Sequence, residues 1–146
     1  MAITLKKITL WRKEVDNKPG ALAETLALLA QSHNDLQAVM GCRSPGDQGK
    51  AAIELYPVSG KKAIEAARSA GLAASSIPTV LVQGDNQPGL GHTIAKALGD
   101  VGINLSFVLA QVVGRRYATM FGFENDSDAA KAIALIRKAA APARKR

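Results

Sequence analysis

Hydrophobic and polar residues alternate along the chain in short stretches, and their period of two or about 3.6 residues predicts strands or helices. Ile3-Thr4-Leu5 and Ile8-Thr9-Leu10-Trp11 alternate with polar residues and predict one N-terminal strand, in which Lys6-Lys7 shift the phase enough to form a bulge. A helical spacing follows, with three leucines on one face: Leu22, Leu26 and Leu29. The chain is therefore expected to begin with a strand and an amphipathic helix.

The rest of the first half predicts a hairpin, a second helix and a weak final strand. The second strand has a row of residues on one side, among which Cys42 is expected to be a small core residue: Leu36, Ala38, Met40 and Cys42. Ser44-Pro45-Gly46-Asp47 is a strong turn signal, after which a third strand returns through Ile53. An alanine-rich helix is predicted from Lys61 to Ala70, and a weak fourth strand from Leu72 to Ile77.

The second half repeats this order of elements, and Pro78 marks the boundary between the halves. A strand up to Gly84 precedes a helix from Gly89, a strand over 103–113 and a returning strand over 117–123. One side of the returning strand carries Tyr117, Thr119, Phe121 and Phe123. Asp126-Ser127-Asp128 offer N-cap oxygens to a last helix, and no final strand is evident after it. The predicted domains are residues 1–77 and 78–146.

The two halves also share a sequence where the first strand of each is expected to end. Asp16-Asn17-Lys18-Pro19-Gly20 recurs as Asp85-Asn86-Gln87-Pro88-Gly89, so corresponding residues lie 69 positions apart. The same shift carries Leu29 onto Leu98, which indicates an internal duplication. Units of about 70 residues have small cores and would gain by packing against each other or against a second chain, so oligomerisation is expected on size alone.

Each half has the order strand, helix, strand, strand, helix, with a fourth strand expected in the first half. This order is typical of a split strand-helix-strand arrangement, in which two helices cover one face of an antiparallel sheet. The predicted fold class is therefore α+β, with two ferredoxin-like βαββαβ units.

The repeated loop has the chemistry of a binding site for a small zwitterion. Pro88 is expected at the first helical position, where it costs no hydrogen bond, and Gly89 lets another group approach closely. The amides of Gly89, Leu90 and Gly91 would then face outward at the positive end of a helix and suit a carboxylate. Asp85 and Asn86 would accept from an ammonium. A strand-to-helix turn without a ligand explains the same residues and remains an alternative.

Both copies of this motif resemble the ACT domain. In the second copy the loop is followed by an amphipathic helix and by Gly102-Ile103-Asn104-Leu105 entering a strand, and in the first by Asn34-Asp35-Leu36. The resemblance implies regulatory domains that pair side by side and bind small effectors, usually amino acids, where a loop of one domain meets a strand of another. It implies contacts from Asp85, Asn86, Pro88, Gly89, Leu90 and Asn104 in the second copy, and from Asp16, Asn17, Pro19, Gly20, Ala21 and Asp35 in the first.

The two copies are not expected to be equivalent sites. Asp35 stands where the second copy has Asn104, and its charge would repel a carboxylate, so the second loop is the better candidate. ACT domains usually regulate an enzyme, and the resemblance covers nearly the whole chain without a catalytic domain. The resemblance therefore implies a non-catalytic sensor, expected to be a homodimer, that acts on another protein.

Few residues of the chain suit catalysis or metal binding. One cysteine and two histidines cannot form a Cys/His metal cluster, and no triad or pair of catalytic acids is apparent, so no enzyme activity, metal or cofactor is expected. His92 follows the second loop and is interpreted either as a ligand contact or as an exposed helical residue. The N-terminus lacks a signal peptide and no run of residues is apolar enough to span a bilayer, so a cytoplasmic location is expected.

The net charge of +7 is concentrated at the end of the chain, in Arg137, Lys138, Arg144, Lys145 and Arg146. A solvated basic tail and electrostatic attraction to nucleic acid or an acidic partner both explain it. RNA binding is the alternative function, because RNA-recognition modules share the predicted architecture. Arg115-Arg116-Tyr117-Ala118-Thr119-Met120 partly matches their third-strand signature, although Arg116 replaces its glycine and Thr119 its second aromatic residue.

Overall fold

The computed structural model of the protein describes residues 3–141, which form two compact units. One unit is Thr9–Ser76, and the other joins the residues before Thr9 to those from Ile77 onward. The elements of residues 3–141 are, in chain order, β1 (Thr4–Ile8), β2 (Trp11–Asp16), α1 (Ala21–Gln31), β3 (Ala38–Ser44), β4 (Asp47–Tyr56), α2 (Lys61–Ser69), β5 (Ala73–Ala74), β6 (Thr79–Asp85), α3 (Leu90–Asp100), β7 (Leu105–Val113), β8 (Arg116–Phe123) and α4 (Asp126–Ala139).

The unit Thr9–Ser76 contains an antiparallel sheet with strand order β3-β4-β2-β5. The register of the central pair runs from Trp11 opposite Leu55 to Asp16 opposite Lys50. The core residues come from both strands and helices: Trp11, Leu29, Ile53, Leu55, Ala67, Ala70 and Leu72. β5 confirms the weak fourth strand that the sequence predicts between Leu72 and Ile77.

The other unit contains an antiparallel sheet with strand order β1-β6-β8-β7. Its core takes residues from strands and from α3 and α4: Val80, Val82, Ile94, Leu98, Ile103, Tyr117, Phe121, Phe123, Ala129, Ala132, Ile136 and Ala140. Tyr117, Phe121 and Phe123 belong to the predicted inward row of β8, and Thr119 of that row is also buried. β7 is an edge strand of this sheet, so one row of its backbone groups is not paired within the unit.

The N-terminal segment differs from the single bulged strand that the sequence predicts. It forms two strands in different sheets, and β1 pairs with β6 from Thr4 opposite Gln83 to Ile8 opposite Thr79. β1 therefore supplies the fourth strand of the second copy, and residues 3–8 belong with the unit that continues from Ile77 rather than with Thr9–Ser76. The physical reason is that Val80 and Val82 are fully buried and β6 needs a strand on each side, one of which β8 provides.

Two local predictions also need correction. Cys42 is exposed, because the β3 residues opposite the core residues Leu55 and Ile53 are Val39 and Gly41, and Cys42 lies on the other face of the strand. The N-cap of α4 is Asn125, whose side chain accepts a hydrogen bond of 2.8 Å from the amide of Asp128.

The C-terminal residues concern the predicted basic tail, and the helices concern the expected lack of a membrane span. The C-terminal part of the predicted basic tail, residues 142–146, lies outside the described residues. Arg137 and Lys138 form part of the last turn of α4, where their charge complements the helix dipole. Over residues 3–141, no helix is long and apolar enough to cross a bilayer.

Candidate ligand-binding site

The second loop connects the end of β6 to α3 through a left-handed glycine. Gly89 has φ 83° and is the N-cap of α3, which begins at Leu90. Pro88 therefore precedes the N-cap and is not the first helical residue. The amide of Leu90 donates to the carbonyl of Gln87 at 3.2 Å, so one of the three amides expected to face a ligand is used within the turn. The amide of Gly91, in the first helical turn, has no acceptor within the helix and remains suited to an anion.

The first loop has the same geometry. Gly20 has φ 89° and is the N-cap of α1, which begins at Ala21. The amide of Ala21 donates to the carbonyl of Lys18 at 3.3 Å, as that of Leu90 does to Gln87. The backbone of the motif is thus repeated closely, and differences between the two sites come from side chains.

Gly89 is required by its backbone conformation and not by a close neighbour. A Cβ atom at Gly89 would have nothing within 4 Å, but the φ value is one that other residues adopt at a cost of roughly 1–2 kcal/mol. Gly89→Ala is therefore expected to lower the melting temperature by roughly 5 °C, measured by circular dichroism. Gly99→Ala is the control, because Gly99 is an exposed helical glycine with open space and should be stabilised by about 0.5–1 kcal/mol. Equal shifts for the two variants would contradict the left-handed conformation.

Each loop aspartate is paired with a cation on the neighbouring strand. Asp85 accepts a hydrogen bond of 3.1 Å from Arg116, its partner across β6 and β8. Asp16 accepts one of 2.6 Å from Lys50 in the equivalent position on β4. The hydrogen bond from Lys50 and its positive charge lower the pKa of Asp16, and the same contact raises the pKa of Lys50. Both loop aspartates are therefore already in ion pairs rather than free carboxylates.

A cavity of about 470 Å³ lies beside the second loop, between α3 and the β7–β8 hairpin. Its size is within the range of small-molecule sites. It is lined by Asn86, Leu90, Gly91, Ile94, Ala95, Leu105, Val108, Ala110, Gln111, Val112, Tyr117, Thr119 and Phe121. The structure thus brings Asn86 and Leu90 of the predicted site together with strand residues that the motif does not include.

Tyr117 is the most distinctive of these additional residues. It is 94% buried, and its hydroxyl has no hydrogen-bond partner within residues 3–141. Burial raises the pKa of the Tyr117 phenol, an effect opposed by Arg116 and reinforced by Asp85. The ring lies against Gly84, its cross-strand partner, where a Cβ atom would come within 3.0 Å of the hydroxyl. The signal in the sequence is this glycine, whose counterpart in the first copy, Val15, is paired with Ala51.

The cavities at the first loop have a different character. One of about 240 Å³ is lined partly by Asp16, Asn17, Lys18, Ala21 and Arg43. Another of about 310 Å³ also touches Asp16, Lys18 and Ala21 and is lined by further charged residues, including Lys13, Glu24 and Lys50. The first loop therefore faces charged surroundings, whereas the lining of the second cavity contains no charged side chain.

Asn104 and Asp35 do not meet the loop of their own unit. Asn104 precedes Leu105, which lies opposite Phe123, whereas Asp85 lies opposite Arg116, seven residues away along β8 or about 23 Å. The Asn104 amide donates to Glu124 at 2.8 Å. Asp35 is exposed before β3, near the Tyr56 end of β4, whereas Asp16 pairs with Lys50 six residues back. In both copies the predicted site residues therefore lie at opposite ends of one sheet.

Comparison with solved structures places this fold among known ones. The chain is similar to a protein of Bacteroides thetaiotaomicron, with 16% identity, a TM-score of 0.73 and coverage of 89% of this chain and 88% of that one. It is also similar to the ligand-free regulatory subunit of aspartate kinase from Thermus thermophilus, with 14% identity, a TM-score of 0.63 and coverage of 97% and 98%.

The regulatory subunit of aspartate kinase from Thermus flavus matches with 16% identity, a TM-score of 0.57 and coverage of 95% and 97%. No protein-family model matches the sequence, and neither does any curated protein sequence. These likenesses extend over nearly the full length of the chains, and they confirm the predicted fold class. The chain has the tandem ACT fold: two ferredoxin-like units, each with a four-stranded antiparallel sheet.

Proposed function

We propose that the protein is a non-catalytic regulatory protein that binds a free amino acid at the second loop. The observation that carries this proposal is the cavity of about 470 Å³ beside Asn86 and the first turn of α3. The regulatory role is supported by fold neighbours that are themselves regulatory subunits of aspartate kinase. By this analogy the effector site of the chain would control an enzyme carried on another chain.

The loop offers complementary groups to both ends of a zwitterion. The N-terminus of α3 carries a partial positive charge, and the Gly91 amide would donate to the ligand carboxylate. The Asn86 side chain is exposed at the cavity, and its carbonyl oxygen would accept from the ligand ammonium. Asp85 follows Gly84 on β6 and so faces the other side of the sheet, where it stays paired with Arg116 and does not line the cavity.

A second copy of the chain would complete the site with Asn104. β7 is an edge strand with three exposed valines, Val108, Val112 and Val113, which are between 51% and 71% accessible. Antiparallel pairing of two β7 strands would cover this edge and set the start of one strand beside the end of the other. Asn104 of the partner subunit would then lie at the sheet end that carries the loop of residues 85–89. This arrangement supports a homodimer with two equivalent sites.

Regulation would follow from a difference in affinity between two packings of the dimer. A ligand that contacts the loop of one chain and Asn104 of the other binds only the packing in which these groups meet. It therefore favours that packing, and the enzyme partner responds to the change in population.

The structure does not favour RNA binding, because the β8 residues that partly match the RNA-recognition signature are not exposed for stacking. Tyr117 and Thr119 are buried on the face that carries the helices, so Tyr117 presents no ring on which a base would stack.

A thermal-shift screen of the common amino acids tests the proposal. A binder at 100 times its Kd is expected to stabilise the chain by about 2.7 kcal/mol, which raises the melting temperature by roughly 10 °C for units of this size. The 2-oxo acid of the same side chain is the control, since it lacks the ammonium and should give a smaller shift. If no amino acid changes the melting temperature while RNA is retained in a salt-sensitive manner, the proposal fails.

A further inference from the structure

We infer that the second-loop site, if it binds an amino acid as proposed above, selects one with a large apolar side chain. The side chain would lie in the cavity between α3 and the β7–β8 hairpin, with the ammonium and carboxylate groups at the loop. This assignment rests on the chemistry of the cavity wall and on the order of its residues along the strands.

The cavity has a polar end and an apolar end. Asn86 and Tyr117 lie at the loop end, because Tyr117 is opposite Gly84 and the backbone amide of Asn86 donates to the carbonyl of Arg115. Phe121 lies opposite Val80 and Val108, four residues further along β8 or about 13 Å from the loop end. The polar groups of an amino acid therefore fit at one end, and the other end receives its side chain.

The apolar end offers nothing to a charged side chain. Its walls are Ile94 and Ala95 of α3, Leu105 and Val108 of β7, and Phe121 of β8. A lysine or aspartate side chain placed there would lose its hydration without gaining a partner, which is strongly unfavourable. Aliphatic and aromatic side chains would instead bury apolar surface against these walls.

The loop end has a polar atom that lacks a partner. The Tyr117 hydroxyl is buried and unpaired within residues 3–141, and buried polar groups in native proteins are nearly always hydrogen-bonded. The hydroxyl lies against Gly84, in the strand pair next to the loop. The first copy has no counterpart, since Val15 and Ala51 occupy the equivalent strand pair and charged residues line the cavities there.

Calorimetric titration of the full chain with leucine, asparagine and lysine tests the assignment, since leucine and asparagine have similar shapes. Leucine is expected to bind at least ten times more tightly than asparagine, and Asn86→Ala should remove this binding. Lysine that binds as tightly as leucine in an Asn86-dependent manner would overturn the ligand class and leave the proposed function standing. Absence of binding by every amino acid would instead overturn the proposed function itself.

A pair of variants on β7 tests where the side chain lies. Val108→Asp places a charge in the apolar end of the cavity and is expected to weaken leucine binding at least tenfold. Val113→Asp is the matched control, because Val113 is an exposed valine on the same edge strand and does not line the cavity. Both variants add the same charge to the strand edge, so equal effects on leucine affinity would contradict the placement.

Discussion

Leu5→Asp is expected to destabilise the unit formed by β1 and the residues from Ile77 onward by about 2–4 kcal/mol. Leu5 is half-buried, packs against the core that contains Val80 and Val82, and lies opposite Val82 in the pairing of β1 with β6. A carboxylate at this position would be partly desolvated, and Lys7, the cation two residues along the same face of β1, is already paired with Asp126 at 2.9 Å. Chemical unfolding monitored by circular dichroism gives the change in free energy.

Thr4→Asp is the matched control for this prediction. Thr4 is the preceding residue on β1, is exposed, and faces away from the side on which Leu5 packs. The same charge at this position should change the stability by about 0.5 kcal/mol or less. If the two aspartate variants are equally stable, β1 does not complete the core of the second unit, and the pairing of β1 with β6 is contradicted.

The pairing of β1 with β6, in a different sheet from β2, shows where sequence patterns stop being informative. The alternation in residues 3–11 correctly indicates extended structure, but the phase shift at Lys6-Lys7 does not mark the break. Lys6 and Lys7 lie within β1 and pair regularly with β6, and the interruption falls at Thr9-Leu10. A phase shift alone does not distinguish a bulge within one strand from a change of sheet. The absence of a final strand in the second copy was the complementary signal, because a buried strand such as β6 needs a neighbour on each side.

The features of the candidate site also divide into those that the sequence predicts and those that it does not. The repeated loop predicts the helix starts beside Gly20 and Gly89, because these depend on local backbone chemistry, but the positive φ of the two glycines and the place of Pro88 before the N-cap are seen only in the structure. The cavity wall from Val108 to Phe121 depends on strand register, which short motifs do not specify. The position of Asn104 follows from topology instead. β6 and β7 are parallel and joined by a helix, so the end of β6, which carries the loop, and the start of β7, which follows Asn104, lie at opposite ends of the sheet.

Mixing two defective variants is expected to restore ligand binding, because the proposed site takes its loop from one chain and Asn104 from the other. Asn86→Ala removes a side chain at the loop, and Asn104→Ala removes the proposed contact from the partner subunit. Both residues are exposed, and the hydrogen bond from Asn104 to Glu124 is at the surface, so both variants should keep their fold. Each variant alone is expected to bind the amino acid at least ten times more weakly than the wild type.

Calorimetric titration of the mixed variants, after unfolding and refolding together, tests the shared site most directly. An equal mixture should recover roughly a quarter of the wild-type number of tight sites, since half of the dimers are mixed and each mixed dimer contains one intact site. The affinity of the recovered sites should equal that of the wild type. A mixture that binds no better than the separate variants would contradict a site shared between two chains.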